Sequence, residues 1–188
     1  MILLVDFGSN KAKLIEDAIN KIDVCERIGY FDFDEKTIDQ YQGVVFSGAP
    51  ILLSEIDYSA YLKAFEWVLT YKKPILGICF GHQLLGLIHK ATVSMQHEDR
   101  GMQWIEVIAH NPLFDDLENP VEMQEDHCES ISVPPGFELC ATSDFTVNEA
   151  MHHKSKPIFG VQFHPEVSGK NGELLIENFC KIVQLFQK

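Results

Sequence analysis

Pro74-Ile75-Leu76-Gly77-Ile78-Cys79-Phe80-Gly81-His82-Gln83 is the stretch on which the fold turns. Proline closes a preceding helix, and Ile75 to Ile78 forms a buried-strand run. Phe80 to His89 then reads as a helix that begins at once, with no room for a loop. A strand feeding straight into a helix through Gly77-Ile78-Cys79-Phe80-Gly81 is the setting of a nucleophile elbow. Such a turn strains its central residue and pushes that side chain out above the sheet. The flanking glycines are needed because a Cβ would clash where strand and helix approach. The thiol sits at a helix N-terminus, where free N–H groups and the helix dipole favour thiolate, the form that attacks carbonyl carbon. Cys79 is therefore the candidate nucleophile. The competing reading is a small buried hydrophobe, the commoner fate of a free cysteine.

Outward from this stretch, short apolar runs alternate with amphipathic segments, the βα rhythm of a parallel sheet. Ile2–Asp6, Val24–Tyr30 and Gly43–Ser47 read as strands. Asn10–Ile22 reads as a helix with Leu14, Ile15, Ala18, Ile19 and Ile22 as its apolar stripe, and Tyr58–Tyr71 as a second helix. The second half differs in texture: Thr92–Gln96, Met102–Ala109, Val121–Gln124 and Phe137–Ala141 look like strands without long helices between them. Ile158–Phe163 is a further strand run and Gly172–Gln187 a closing helix. The expected fold is α/β, a mostly parallel central sheet flanked by helices with added antiparallel strands in the second half. Residues 1–188 are expected to form one domain, since no repeat, linker or low-complexity tract interrupts them.

Two further segments carry chemistry. In Gly160-Val161-Gln162-Phe163-His164-Pro165-Glu166-Val167 a strand is expected to end at Phe163. That places His164 and Glu166 just past its carboxyl end, where open α/β sheets put their active sites. On an extended backbone the two side chains point the same way. Glu166 can then fix the imidazole tautomer and leave the second ring nitrogen to serve a thiol. After the third strand, Ser47-Gly48-Ala49-Pro50 is a small-residue turn able to aim backbone N–H groups at a developing oxyanion, though it also reads as an ordinary βα turn.

Composition narrows the function classes. Hydrophobic residues at 46% and charged residues at 23% are globular proportions, and the 188 residues suffice for a sizeable core. The formal net charge of −13 disfavours nucleic acid and anionic membrane as partners, because both repel an acidic protein. Cys25, Cys79, Cys128, Cys140 and Cys180 are odd in number and contain no C-x-x-C pair, so neither a disulfide framework nor a zinc motif is indicated. No leader or membrane-spanning stretch is read, and a reducing cytoplasm is the expected address. No metal-binding motif, phosphate loop or dinucleotide fingerprint is read either; Gly48-Ala49-Pro50 lacks the lysine that a phosphate loop needs.

Together, and in this order, the three segments resemble the class I (triad) glutamine amidotransferases. The resemblance is strongest in the Cys79 elbow with Gly81-His82-Gln83 and in Phe163-His164-Pro165-Glu166, and it extends from Asp6-Phe7-Gly8 to the last helix. It implies a flavodoxin-like fold. Within the family the chain looks most like the amidotransferase subunit or domain of GMP synthetase, through Asp6-Phe7-Gly8-Ser9, Glu149-Ala150-Met151 with His153, and Val167 after Glu166. The resemblance implies Cys79 as nucleophile, His164 as general base and then acid, and Glu166 as its orienting partner. It implies the backbone N–H groups of Ala49 and Phe80 as the oxyanion hole, and Gly48, Gln83 and Arg100 beside the substrate glutamine. It further implies no cofactor in this chain, with ATP and Mg on a partner ATP pyrophosphatase subunit that binds xanthosine monophosphate.

Two departures from the family pattern stand out. Ala49 replaces the middle glycine of Gly-Gly-Pro, and an alanine would resist a left-handed backbone. Asp126-His127-Cys128-Glu129 replaces a Ser-His-x-Asp segment that lies near the synthetase in the family. Two other functions share the pattern: a stand-alone γ-glutamyl hydrolase on the same fold, and a regulatory relative that binds without catalysis. The intact Cys79, His164 and Glu166 oppose the second of these.

Overall fold

A computed structural model describes residues 1–186. The elements are β1 (Ile2–Asp6), α1 (Ala12–Asn20), β2 (Cys25–Gly29), β3 (Gly43–Phe46), α2 (Ser59–Ala64), β4 (Ile75–Ile78), α3 (Phe80–Ile88), β5 (Val93–Val107), β6 (Val121–Ile131), β7 (Phe137–Thr142), β8 (Ala150–His153), β9 (Ile158–Val161) and α4 (Gly169–Phe186). The strands lie in the order β2-β1-β3-β4-β9-β8-β7-β5-β6. From β2 to β9 all neighbours are parallel; from β9 onward every pairing is antiparallel. The parallel core with its antiparallel extension is the expected arrangement.

Side-chain alternation explains why the parallel strands are apolar throughout. Ile2 and Leu4 of β1 join one core with Ile15 and Ile19 of α1 and Leu175, Phe179 and Val183 of α4. Leu3 and Val5 point the other way, into a core with Phe65, Leu84 and Leu85. Both faces are therefore dry, and a strand covered on both sides needs no polar residue. Helix α3 lies in the second core and is buried from Phe80 to Leu87, so it is apolar round most of its circumference rather than on one stripe.

Several expected boundaries shift, each for a local reason. The Tyr58–Tyr71 helix breaks at Phe65, which leaves helical geometry before a short 3₁₀ turn at Glu66–Leu69. Phe65 packs against Phe7 and Phe46, both at 5.2 Å between ring centroids, and burying that ring outweighs helix continuity. Thr92–Gln96 and Met102–Ala109 are one long strand, β5, whose pairing with β6 slips between Met95 and Asp99. β6 runs seven residues beyond the expected Gln124, and β8 is a strand that periodicity does not reveal. α1 buries Ala12, Ile15 and Ile19 but leaves Leu14 exposed, and Ile22, expected in its stripe, is exposed beyond the helix end at Asn20. Helix α4 starts earlier than expected, at Gly169; its expected last residue, Gln187, lies outside the described residues.

The elbow rests on two close backbone approaches. A Cβ on Gly81 would lie 2.5 Å from the Phe46 carbonyl oxygen, and one on Gly77 would lie 2.6 Å from the Gly81 carbonyl carbon. Both obstacles are main chain and cannot swing aside. Gly81→Ala is therefore expected to destabilise the fold by about 1–3 kcal/mol or more, measured as a lower urea midpoint at unchanged slope. An unchanged midpoint would show that the elbow tolerates a wider gap.

Candidate active site

β4 delivers the chain to Cys79 and α3 carries it away. Cys79 takes φ 51° and ψ −107°, a conformation that costs a non-glycine residue about 1–3 kcal/mol. Its N–H donates to the Val161 carbonyl (2.9 Å), its carbonyl accepts from Gln83 N–H (3.0 Å), and the Ser47 carbonyl accepts from Gly81 N–H (3.1 Å). Three separate segments thus hold the strained turn.

His164 lies just past β9, next to Cys79, with its backbone N–H donated to the Gln124 carbonyl of β6 at 2.8 Å. Its Nδ1 is 2.7 Å from Glu166 Oε1, and both side chains are buried. The route differs from the expected one. β9 ends at Val161, and Pro165–Val167 is a 3₁₀ turn rather than extended chain. Proline opens that turn, where its missing N–H costs nothing, and the turn swings Glu166 back onto the ring. Burial alone would lower the pKa of His164, but hydrogen bonds to Cys79 and Glu166, and the charges of both, outweigh it and lift the value to about 10.

Gly48 packs its backbone against both side chains: a Cβ there would lie 3.2 Å from the His164 ring and 3.7 Å from the Cys79 Cβ. The Ser47 hydroxyl fixes this turn by donating to the Gly48 carbonyl (2.8 Å) and accepting from Phe7 N–H (2.9 Å). Ala49 is not among the residues of positive φ, so the alanine that departs from the family glycine adds no left-handed strain. Phe80 is the first residue of α3, and its N–H has no acceptor within the helix.

A cavity of about 340 Å³ opens beside the thiol, with Ala49, Cys79, Phe80, Gln83, Arg100 and Asp126 in its wall. A smaller hollow, also bordered by Cys79 and Asp126, reaches Lys11 and His164. Every expected site residue is therefore brought to one place, but in different conditions. Arg100 is exposed and paired with Glu98 (2.7 Å) and Asp126 (3.3 Å). Gln83 is buried, and its amide nitrogen is used internally, on the Glu129 carbonyl (3.0 Å) and Gln162 Oε1 (3.1 Å).

Three residues near the site do not stand out in the sequence. Gln162 points its amide nitrogen at Cys79 Sγ (3.7 Å); it stands two residues before His164 in a segment that already carries chemistry, so alternation is the signal that could have found it. Lys11 pairs with Asp126 at 2.8 Å and holds that carboxyl below the usual range. Glu129 accepts from the backbone N–H groups of Leu53 and Ser54, both at 2.8 Å, which ties down the loop after Pro50. The Asp126–Glu129 segment thus lines the cavity itself.

A cysteine in a strand-to-helix elbow, facing a histidine held by a carboxylate, recurs on unrelated folds, so geometry alone leaves the family open. A family model, glutamine amidotransferase class-I, matches residues 3–183. The chain belongs to this family. Among amidotransferases, it is 34% identical over 188 residues to the glutamine-hydrolyzing GMP synthase subunit of Methanocaldococcus jannaschii, covering 97% of each chain. It is also 34% identical to the corresponding subunit of Pyrococcus furiosus, covering 97% of this chain and 98% of that one. A crystal structure of a candidate GMP synthase subunit from Thermoplasma acidophilum superposes with a TM-score of 0.90 at 27% identity, covering 99% of this chain and 94% of that one.

The raised His164 pKa gives a direct test. With its ordinary value near 6.5 lifted to about 10, the ring keeps its proton through neutral pH and loses it only in the alkaline range. Followed by NMR of the ring protons, Glu166→Gln is expected to lower the midpoint by about 1–3 pH units, because an accepting charge is removed. A midpoint unmoved in the variant would mean that Glu166 does not hold the proton there.

Proposed function

We propose that this chain, acting as a single amidotransferase domain, hydrolyses the side-chain amide of glutamine and passes the ammonia to a separate synthetase subunit. That subunit uses ATP and Mg to convert xanthosine monophosphate to GMP. The observation that carries the reading is the Cys79–His164–Glu166 arrangement opening onto a cavity large enough for an amino acid. The subunit names of relatives similar over nearly their whole length support the choice of synthetase.

The geometry supports the following chemistry. Cys79 Sγ attacks the amide carbon, and the carbonyl π pair moves onto oxygen, where the N–H groups of Phe80 and Ala49 receive it. Removing one such donor typically costs about 10²–10³ in rate. The protonated His164 gives its proton to the amide nitrogen, the C–N bond breaks and ammonia leaves. A water then loses a proton to His164 and attacks the thioester carbon, and the C–S bond breaks to release glutamate. Glu166 holds the imidazole in place throughout. Gly48 lets the turn approach the thiol, while Gln83 and Arg100 shape the substrate end of the cavity. Among the described residues no helix is long and apolar enough to cross a membrane, and the free thiol suits the reducing cytoplasm.

Ammonia release from L-glutamine by the full chain is expected to rise strongly when a GMP synthetase ATP pyrophosphatase subunit is added with ATP, Mg and xanthosine monophosphate. Cys79→Ala is expected to remove the activity by about 10⁴-fold or more. Free turnover without the partner would instead favour a stand-alone γ-glutamyl hydrolase. Ammonia release that persists in the Cys79 variant would sink the mechanism.

A further inference from the structure

β6 alternates strictly, and its inward residues are Val121, Met123, Glu125, His127, Glu129 and Ile131. Half of a face expected to be apolar is ionisable. Glu129 is accounted for by the loop it clamps, but Glu125 and His127 have no such duty. Beside them, Asp99 comes in from β5, where it is the register partner of His127, and Glu149 from the residue before β8. Residual exposure is 4% for Asp99, 8% for His127 and 0% for Glu125 and Glu149. Among the described residues none of the three carboxylates pairs with a lysine or arginine. Burying this much unpaired charge is costly unless something neutralises it.

We propose that Asp99, His127 and Glu149 form a binding site for a divalent cation of the zinc type, with Glu125 as a flanking carboxylate. One ligand atom from each of the three lies within 4.8 Å of the others, a spread that small side-chain rotations would close onto metal bonds of about 2.0–2.2 Å. The polar atoms left without a hydrogen bond are those a cation needs: Asp99 Oδ2, His127 Nε2 and Glu149 Oε2. Each side chain is already held by its other atom. Asp99 Oδ1 accepts from Gln103 (2.9 Å), and Glu149 Oε1 accepts from the Ser143 hydroxyl (2.7 Å). His127 Nδ1 lies 3.0 Å from the Glu129 carbonyl and 3.1 Å from the Gln96 side-chain amide. The carbonyl can only accept, so a proton on Nδ1 satisfies it. With Nδ1 protonated, the Gln96 amide presents its oxygen to the ring, accepting from Nδ1–H and from the Thr146 hydroxyl at 2.7 Å. That leaves the Nε2 lone pair facing the carboxylates, 3.0 Å from Glu125 Oε2 but without hydrogen-bond geometry. An outer shell that fixes ligand orientation in this way is what metal sites display.

Charge supports the geometry. Burial lowers the His127 pKa, keeping the imidazole in its neutral, ligating form. Burial pushes Glu125 up to about 8, and burial together with the neighbouring Glu125 carboxylate pushes Glu149 up to about 9, the direction expected of carboxyls crowded in a dry pocket. The sequence expectation of no metal rests on the absence of a compact motif, whereas these three residues are far apart in the chain and meet only through the β5–β6 pairing and the approach to β8.

Titration of the full chain with Zn²⁺, after removal of adventitious metal by a chelator, is the test. The expected result is one ion bound per chain with a rise in Tm of several degrees. Asp99→Asn and Glu149→Gln, each checked for folding by circular dichroism, are expected to lower affinity by more than the roughly 10–100-fold that loss of an outer-shell partner costs. Co²⁺ as a spectroscopic probe should show no thiolate charge-transfer band, since no cysteine is a ligand. Absence of binding, binding unaffected by both variants, or a thiolate band lost in Cys79→Ala would each overturn the proposal. None of these readouts depends on glutaminase activity.

Discussion

The site depends first on how closely β4, α3 and the end of β3 can approach one another. Gly77 faces the backbone of Gly81, Gly81 faces the carbonyl of Phe46, and no side chain fits at either contact. Because the approach is so short, the chain must reverse within one residue. Cys79 takes the positive φ that the reversal demands. The strain is held there by hydrogen bonds that Cys79 and Gly81 N–H donate to the Val161 and Ser47 carbonyls and that Gln83 N–H donates to the Cys79 carbonyl, and by an α3 that is buried from its first residue. A strained residue persists only where its surroundings over-determine it. Here the two cores on opposite faces of the sheet supply that determination.

The antiparallel half of the sheet completes the candidate site as well as extending the fold. β6 reaches across to accept the His164 N–H through Gln124. It places Asp126 at the cavity mouth and sends Glu129 to bind the loop that follows Ala49 and Pro50. The position of the histidine relative to the thiol is therefore set from two sides, by β9 through chain connectivity and by β6 through hydrogen bonding. The acidic composition is divided in the same way. Asp126 and Glu98 meet Lys11 and Arg100 in solvent, where such pairs are worth little. Asp99, Glu125 and Glu149 are buried and, among the described residues, have no lysine or arginine partner, so charge there has large consequences.

The parallel half is legible in the sequence because its strands are continuous apolar runs and its helices carry clear stripes. The elbow is legible because two glycines around a cysteine have few other uses between a strand and a helix. Legibility falls where tertiary contacts override local preference. Phe65 ends its helix to join an aromatic cluster with Phe7, Phe33 and Phe46 from three distant segments. The alternation of β6 is hidden because Glu125, His127 and Glu129 occupy inward positions that a periodicity argument assigns to apolar residues. β8 is only four residues long and ends in two histidines. At the candidate site the three principal residues are readable. The 3₁₀ turn that brings Glu166 to His164 is not, since a proline after a strand does not reveal which way the chain turns.

The substitution of alanine for glycine at position 49 shows how such a site is constrained. The turn carries two demands that a family pattern of two glycines merges: close approach to the thiol and freedom of φ. The structure separates them. Gly48 meets the first, with the His164 ring 3.2 Å from where its Cβ would be. The second demand is absent at Ala49, whose φ is not positive. Only one of the two positions must therefore lack a side chain. The Ser47 hydroxyl, bonded to Phe7 N–H and to the Gly48 carbonyl, holds the turn in the conformation that makes this so.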